Sequence, residues 1–331
     1  MLKDDIDNLR KSMGTLPSQK PQKNYEYKNS LETCYVNLTS FPQNYAKSIV
    51  IAATSTWGNG QCGPNDGCCN KWNKLTPQNR YRVVLAALTG NTLPLALENI
   101  SFQFEINGVP RHTFDQWART RLATHQSIGC RDNSKIDAPF ILYSELYEEI
   151  ESSESLKKDF VEWVIKTKDL YEKILNTGRG SYQMARAVLP MSYNHSFTTY
   201  INFASLQTQC NRRMMACEEG PIVLMSWKMR SEIKNKVSPF LANYLRPLCD
   251  KVKKCVYHGG AEGLTKYFSN LFAGCGRWED EVDYAEFNFS CTSYEKLKNY
   301  VEIVEPNEWI DFSENDYEKL SDIDKKIFEE D

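Results

Sequence analysis

The feature of the sequence that most constrains the fold is a regular alternation in NISFQFEINGVPR, residues 99–111. Every second residue from Ile100 to Ile106 is apolar and the residues between them are polar, which is the period of a strand with one buried face. The dipeptide Asn107-Gly108 predicts the end of this strand, and Pro110 suits the first turn of a helix. The segment therefore predicts a half-buried strand that leads into a helix.

The segment that follows is QWARTRLATHQSIGCR, residues 116–131. Apolar residues recur at helical spacing from Phe114 to Leu122. This spacing predicts that the segment lies on a helix, which runs into a loop near Gly129.

Arginines in this segment have two possible roles. Arg119 and Arg121 are two positions apart, so on a helix their side chains point about 200° apart and form no single patch. Arg131 follows the predicted helix, where exposed backbone N–H groups can receive an anion. Arginine suits phosphate because its planar guanidinium donates two hydrogen bonds at once and stays charged. Spacing alone leaves open whether these arginines bind an anion or only face solvent.

A second strand-to-helix unit and several further elements complete the predicted organisation. HSFTTYINF (195–203) alternates like a strand, and ASLQTQCNRRMMAC (204–217) has helical spacing. VNLTSFPQ (36–43) predicts another strand followed by a turn. Further helices are predicted over residues 44–53, 77–88, 153–177 and 226–245, the last interrupted or bent near Pro239.

Charge and hydropathy argue against several classes of protein. A net charge of −3 argues against wholesale nucleic-acid binding, which usually requires a basic balance. No apolar run is long enough to cross a bilayer, and charges occupy the N-terminus where a signal peptide needs an apolar segment. We therefore expect an intracellular, cytoplasmic protein that binds neither nucleic acid nor membrane. We expect a flexible arm over residues 1–30, a main folded domain over 31–246, and a C-terminal extension over 247–331 with an acidic end.

The 11 cysteines are interpreted as reduced thiols because the chain is long and carries no secretion signal. Several lie in GNGQCGPNDGCCN (58–70), which is a predicted loop. Its spacing, Cys62-x5-Cys68-Cys69, is not that of a zinc knuckle, and adjacent cysteines bind one ion awkwardly. A second group that could contribute ligands consists of Cys249, Cys255, His258 and Cys275. Free thiols are favoured over metal ligands, and we predict no metal site.

Four ordered segments resemble the motifs of the flavin-dependent thymidylate synthases. In chain order they are LALENISF (95–102), QWARTR (116–121) with Arg131, ARAVLP (185–190), and Asn202 with Arg213. They resemble the family's Glu-His-x-x-Phe, its Gln-x-x-Arg-His-Arg with a later Arg, its Ala-Arg-x-x-Leu-Pro, and its spaced Asn and Arg. The resemblance covers about residues 35–245.

The resemblance implies a fold, an assembly and a set of cofactors. The fold would be α+β, an antiparallel or mixed sheet with flanking helices, extended at both termini. In this family reduced FAD, 5,10-methylenetetrahydrofolate and a pyrimidine nucleotide monophosphate meet between subunits of a homotetramer, and NADPH is the reductant. A one-carbon unit is transferred to C5 of the pyrimidine, and a hydride from the flavin completes the methyl group.

Residue by residue, the resemblance also implies the site. It implies FAD contacts by Arg119, Thr120, Arg121 and Asn202 with support from Glu98. Gln116, Arg131 and Arg186 would hold the nucleotide phosphate, with Gly129 in the phosphate-binding loop, and Arg213 would make a catalytic contact with the pyrimidine ring. A thiolate of Cys130 or Cys210 attacking C6 is chemically possible beside this site, although the family needs none.

The sequence also departs from the family pattern at several positions. Thr120 replaces the motif histidine, Gly129 replaces a serine, and Ser127 replaces an acidic residue. MRSEI (229–233) fits the family's Ala-Gln-x-Glu-Ile only if about eleven residues near CEEGPIVLMSW (217–227) are inserted. These departures keep two alternatives open. One is a related enzyme that makes a 5-methyl or 5-hydroxymethyl dCMP or dUMP, and the other is a non-catalytic relative that only binds nucleotide.

Overall fold

The structure, a computed structural model, describes residues 23–55, 69–91, 94–127, 134–216, 218–254, 277 and 293–330. The strands are β1 (Tyr27–Asn29), β2 (Tyr35–Ser40), β3 (Ser101–Pro110), β4 (Ala123–Ser127), β5 (Phe140–Leu142) and β6 (Asn194–Asn202). The helices are α1 (Ser30–Thr33), α2 (Tyr45–Thr54), α3 (Cys69–Lys74), α4 (Pro77–Thr89), α5 (Arg111–Trp117), α6 (Ser144–Ser152), α7 (Glu154–Leu175), α8 (Tyr182–Ala185), α9 (Phe203–Arg213), α10 (Gly220–Lys236), α11 (Pro239–Ala242), α12 (Leu248–Val252), α13 (Tyr294–Leu297) and α14 (Asp322–Glu329). Short 3₁₀ helices cover Pro94–Asn99, Arg186–Val188 and Asp316–Lys319.

The centre of the fold is a four-stranded antiparallel sheet in the order β2-β3-β6-β4. β1 and β5 pair in parallel as a separate two-stranded sheet. Helix α10 packs against β2 and β3. It is fixed there by Lys228, which donates to the carbonyl of Cys34 at 2.6 Å, and by Glu232, which accepts from the amide of Leu38 at 2.8 Å. Strands and helices thus form one α+β fold, which confirms the predicted fold class.

The alternating segment forms β3 as predicted, but the strand does not end at Asn107-Gly108. Ile100, just before the strand, and Ile106 within it are fully buried, as the apolar period requires. The strand continues to Pro110 through an irregularity in its pairing with β6. Gly108 allows this because its φ is +70°, a conformation that favours glycine. Its backbone also approaches Thr33 so closely that a Cβ would lie 2.1 Å from the carbonyl oxygen.

The prediction that residues 116–131 lie on a helix is wrong. Helix α5 ends at Trp117, whose carbonyl accepts from both the amide (2.9 Å) and the hydroxyl (2.6 Å) of Thr120. Leu122 then takes a left-handed conformation with φ of 56° and turns the chain into β4. Pairing of β4 with β6 overrides the local helical spacing. Arg119 and Arg121 therefore lie in a turn rather than on opposite sides of a helix.

The other predicted elements within the described residues agree with the structure apart from their ends. The strands over 36–43 and 195–203 and the helices over 44–53, 77–88 and 153–177 correspond to β2, β6, α2, α4 and α7. The helix predicted over 204–217 ends early, at Arg213, and the one predicted over 226–245 begins early, at Gly220, with a break before α11 at Pro239. Most of the predicted loop over 58–70 lies outside the described residues, and α3 begins within it at Cys69.

Both terminal segments contribute to the folded unit. β1 lies within the predicted N-terminal arm, and residues 1–22 lie outside the described residues. At the C-terminal end, Trp309, Leu320 and Phe328 belong to the main hydrophobic core. Arg80 donates to the carbonyl of Phe328 at 2.7 Å. Among the helices that the structure describes, none is both long and apolar enough to span a membrane.

The carboxylate of Asp324 fixes the last helix to the domain. It is 1% exposed and accepts from the hydroxyl of Ser238, from the amide of Phe240 at 3.1 Å and from the hydroxyl of Ser321 at 2.7 Å. Burial raises the pKa of this carboxyl. Asp324 thus links the N-termini of α11 and α14.

Replacing Asp324 with alanine is expected to lower the free energy of unfolding by about 3 kcal/mol, because several buried donors lose their acceptor. The matched control is Asp322→Ala on the exposed side of the same helix, with an expected loss below about 1 kcal/mol. Equilibrium urea unfolding measures both variants. Equal losses would contradict a structural role for the C-terminal segment.

Candidate active site

Two of the predicted site residues meet directly. The guanidinium of Arg213, at the end of α9, donates from Nη1 to Oε1 of Gln116 on α5 at 3.2 Å. Arg213 Nε is buried and has no hydrogen-bond partner within the described part of the chain. A buried guanidinium donor without an acceptor is rare in a folded protein and is available to a ligand. The Gln116–Arg213 pair is therefore the centre of the candidate nucleotide site.

Carboxylates that the sequence analysis did not select surround this pair. Glu218 forms an ion pair with Arg213, and Glu219 hydrogen-bonds Gln116. Oε2 of Glu219 lies 3.3 Å from Nε2 of His112, but the two atoms lack the geometry of a hydrogen bond. Burial raises the pKa of Glu219 and lowers that of His112, so both groups are biased towards their neutral forms. The sequence signal that could have found these residues is the pair of adjacent glutamates in CEEGPIVLMSW (217–227).

A second group of predicted residues lies at one end of the sheet. Asn202, the last residue of β6, pairs with Ser101 at the start of β3, and the neighbouring Ile201 pairs with Ala123 at the start of β4. The same end therefore carries Glu98, just before β3, and Arg121, just before β4. The predicted FAD-binding residues Glu98, Arg121 and Asn202 therefore lie at the same end of the sheet, although they come from separate segments of the chain.

A cavity of about 590 Å³ opens beside this end of the sheet, between α2 and the 3₁₀ helix Pro94–Asn99. Ser48, Ala52, Leu95 and Asn99 contribute to its lining. Its volume is in the range of cofactor and ligand sites.

The described arginines of the predicted site differ in their surroundings. Arg119, Arg121 and Arg186 are exposed, and none of them forms an ion pair with a residue that the structure describes. Unpaired guanidinium groups of this kind suit an anionic ligand.

Asn202 is half-buried and caps α9, where its side chain accepts from the amide of Ser205 at 2.8 Å. Gly129 and Arg131 lie outside the described residues.

Thr120 is oriented away from solvent. It is 6% exposed, and its hydroxyl donates to the carbonyl of Trp117. The single hydroxyl proton is therefore used inside the turn. Thr120 thus orders the turn that carries Arg119 and Arg121.

Lys168 of α7 donates hydrogen bonds to the loop that follows the predicted phosphate-binding residues. The ammonium is fully buried and donates to the carbonyls of Lys135 (2.7 Å), Ile136 (3.2 Å) and Ala138 (2.6 Å). Burial lowers the pKa of Lys168 to about 8, so the group still carries most of its charge at pH 7. The role of Lys168 is not visible in the sequence, because a lysine in an amphipathic helix ordinarily faces solvent.

Cys210 is unsuited to nucleophilic attack. It lies on α9 with its side chain fully buried, and burial raises the pKa of its thiol to about 12. A thiol must be deprotonated to attack C6, so burial and the raised pKa argue against attack by Cys210. Cys130 lies outside the described residues.

Replacing Cys210 with alanine is therefore expected to change kcat by less than about 3-fold, because the thiolate fraction at neutral pH is negligible. Steady-state turnover and a thermal melt measure activity and folding side by side. A loss of activity of about 100-fold with an unchanged melting temperature would restore a catalytic role.

No group of three or more His, Cys, Asp or Glu residues suited to a metal ion occurs within the part of the chain that the structure describes. Of the two cysteine groups considered from the sequence, Cys62, Cys68, Cys255, His258 and Cys275 lie outside that part. Cys249 is buried with its Sγ 3.6 Å from Oδ1 of Asp250.

Comparisons with known proteins agree with the motifs and the topology. Residues 37–239 match the family described as thymidylate synthase complementing protein. A search of curated proteins found no match. Among solved structures, the chain is similar to the UMP/dUMP methylase PolB from Streptomyces cacaoi bound with 5-Br dUMP, with a TM-score of 0.51 and 15% sequence identity over 66% of this chain and 96% of that chain. At that identity the likeness supports the fold alone. The matched region exceeds half of the sequence, and the chain therefore belongs to the thymidylate synthase complementing protein family, the flavin-dependent thymidylate synthases.

Proposed function

We propose that the protein transfers a one-carbon unit to C5 of a pyrimidine deoxynucleotide in a flavin- and folate-dependent reaction of the dUMP-to-dTMP type. The observation that carries this proposal is the Gln116–Arg213 contact, which joins two separate family motifs and leaves a buried guanidinium donor free. Family membership supports methylation of a pyrimidine nucleotide, and PolB, which has the same fold, is a UMP/dUMP methylase.

Arg213 has the catalytic role in this proposal. A cation held against the pyrimidine ring stabilises the negative charge that develops when C5 becomes nucleophilic. Gln116 orients Arg213 from the α5 side. Because Glu218 already forms an ion pair with Arg213, this place attracts a phosphate less than Arg186 does, which is exposed and has no ion pair among the described residues, and the base is favoured here. The phosphate contacts are then assigned to Gly129, Arg131 and Arg186, and Gln116 contacts the base rather than the phosphate.

The end of the sheet that carries Glu98, Arg121 and Asn202 fits FAD. Arg119 and Arg121 are exposed and unpaired among the described residues, which suits the pyrophosphate of a dinucleotide. Thr120 does not fit as a direct contact, since its hydroxyl is bonded to Trp117. In this proposal methylenetetrahydrofolate supplies the one-carbon unit, and FAD reduced by NADPH supplies the hydride. The protein orients the reactants and provides charge.

The proposed assembly is a homotetramer with sites shared between subunits. It is supported by large apolar side chains that helix α7 exposes, including Leu156 (39%), Trp163 (40%) and Leu170 (47%). Exposed apolar patches of this kind mark interaction surfaces. Light scattering during size-exclusion chromatography measures the mass, and a monomer at micromolar concentration would contradict the assembly.

The experiment that tests the proposed function combines cofactor binding with product analysis. We expect the purified protein to show flavin absorbance, either as isolated or after addition of FAD. Incubation with methylenetetrahydrofolate, NADPH and one of dUMP, UMP, dCMP or CMP is followed by mass spectrometry of the nucleotide. A product heavier by one methylene unit from dUMP supports the proposal.

Other outcomes of this experiment support the two alternatives. The altered residues Thr120, Ser127 and Gly129 belong to the motifs around flavin and nucleotide, which favours a changed substrate as the second candidate. A methylated or hydroxymethylated dCMP, or a hydroxymethylated dUMP, would then be formed. A protein that binds nucleotide but neither flavin nor folate would be a non-catalytic relative and would overturn the proposal.

A further inference from the structure

We propose that Glu218 is a positioning residue that fixes the guanidinium of Arg213 for catalysis. The inference rests on the proposed function for the role of Arg213. The contacts themselves come from the turn between α9 and α10, which sequence motifs of the family do not describe.

Both oxygens of the Glu218 carboxylate are occupied by arginines. Oε2 contacts Nη1 of Arg213, and Oε1 accepts from Nε of Arg212 at 2.9 Å. The side chains of Glu218 and Arg213 are only 11% and 13% exposed, whereas that of Arg212 is 69% exposed. Screening by solvent is therefore weaker for the Glu218–Arg213 pair than for the contact with Arg212.

Among the described residues, both side-chain hydrogen bonds of Arg213 are made by one nitrogen of its guanidinium, Nη1. Nη1 donates to Gln116 and to Glu218, so two acceptors from different elements fix its position. Nε has no partner among the described residues and is left for a ligand. Glu218 thus orients the cation without using the donor that a substrate would need.

Hydrogen bonds fix the backbone that precedes Glu218, at Met214 and Ala216. The carbonyl of Met214 accepts from Nε1 of Trp227 at 3.1 Å and from the hydroxyl of Tyr294 at 2.8 Å. The Tyr294 hydroxyl in turn accepts from the amide of Ala216 at 3.1 Å. Tyr294 comes from the C-terminal segment, so this segment reaches the site through the turn that presents Glu218.

The turn overlaps CEEGPIVLMSW (217–227). This is the segment that would have to be inserted for MRSEI (229–233) to fit the spacing of the family motif. These residues do not form a surface loop, because Gly220 to Trp227 build the buried first turns of α10. The additional residues therefore supply both the buried helix start and the carboxylate beside Arg213.

The test is a double-mutant cycle with Glu218→Gln and Arg213→Gln in the full-length protein loaded with FAD. Because Glu218 acts through Arg213, Glu218→Gln should lower kcat about 10- to 100-fold in the wild-type background. The same change in the Arg213→Gln background should lower kcat by less than about 2-fold. Flavin absorbance should be unchanged, and dUMP affinity by calorimetry should change much less than kcat.

Two further variants complete the design. Arg212→Gln removes the exposed partner of Glu218 and leaves the pair with Arg213 in place, so it should lower kcat much less than Glu218→Gln does. Tyr294→Phe loosens the turn without touching the ion pair, so it tests the idea even where Glu218→Gln folds poorly. It should lower kcat in the wild-type background and have no further effect beside Arg213→Gln.

Each remaining outcome overturns a defined statement. Equal losses of kcat in both backgrounds mean that Glu218 acts independently of Arg213, which overturns the inference alone. A loss of kcat that disappears at a lower assay temperature, together with a reduced melting temperature, means a purely structural role and also overturns it. A wild-type protein that binds and converts none of the nucleotides overturns the proposed function and the inference with it.

Discussion

Replacing Arg213 with glutamine is expected to lower kcat/KM by about 10²- to 10³-fold while the protein stays folded. The amide is polar but carries no charge, so it cannot stabilise the negative charge that the proposed reaction develops on the pyrimidine ring. Glu218 keeps its contact with Arg212 in this variant, which limits the cost of an unpaired carboxylate. Stopped-flow or steady-state turnover with dUMP measures the loss.

The appropriate comparison is Arg212→Gln, which removes a charge one residue away on the exposed side of α9. We expect it to retain activity within about 3-fold of the wild type. If both arginine variants lose activity equally, the effect comes from general charge near the site. An Arg213→Gln protein with full activity would contradict the catalytic assignment.

The second large effect is expected for stability, when Lys168 is replaced with methionine. The apolar side chain has a similar length but leaves the carbonyls of Lys135, Ile136 and Ala138 without their shared donor. The expected loss is about 3–5 kcal/mol in the free energy of unfolding, or about 4–7 °C in melting temperature. Because residues 134–138 directly follow the predicted phosphate-binding residues, KM for the nucleotide should also rise.

The control for this prediction is Lys166→Met on the same helix. Lys166 is 73% exposed and, among the residues that the structure describes, pairs with Glu162 one turn away, so its loss should cost less than about 1 kcal/mol. Differential scanning calorimetry measures both variants. A Lys168→Met protein as stable as the Lys166→Met protein would show that the three carbonyls find other donors.

Local sequence patterns predicted strands and helices in which the buried residues recur with the period of that element. The alternation around β3 identified a strand whose apolar positions are all buried, and the helices predicted to begin at Asn44 and Ser153 have these two residues as N-caps. The turn at 118–122 was missed because a threonine hydroxyl and a left-handed leucine replaced the usual glycine signal. Strand β4 forms because β6 offers it a partner, which no local window contains.

The site was predictable only as far as its motifs extend. Gln116 and Arg213 are 97 positions apart in the chain and are brought into contact by the packing of α5 near the end of α9. Glu218 could not be assigned because its role depends on a turn held by Tyr294 from the C-terminal segment. Lys168 reads as a surface residue until the loop that it supports is known. Contacts between distant segments thus account for most of what the sequence left open.

The most direct test of the central claim is the fate of the hydrogen at C5 of the nucleotide. Transfer of a one-carbon unit to C5 replaces the C5–H bond with a C5–C bond, and the proton is released to water. With dUMP tritiated at C5, methylenetetrahydrofolate, FAD and NADPH, we predict release of tritium into water that requires the folate and falls at least about 100-fold in Arg213→Gln. Retention of tritium in a nucleotide that the protein binds and converts would contradict chemistry at C5.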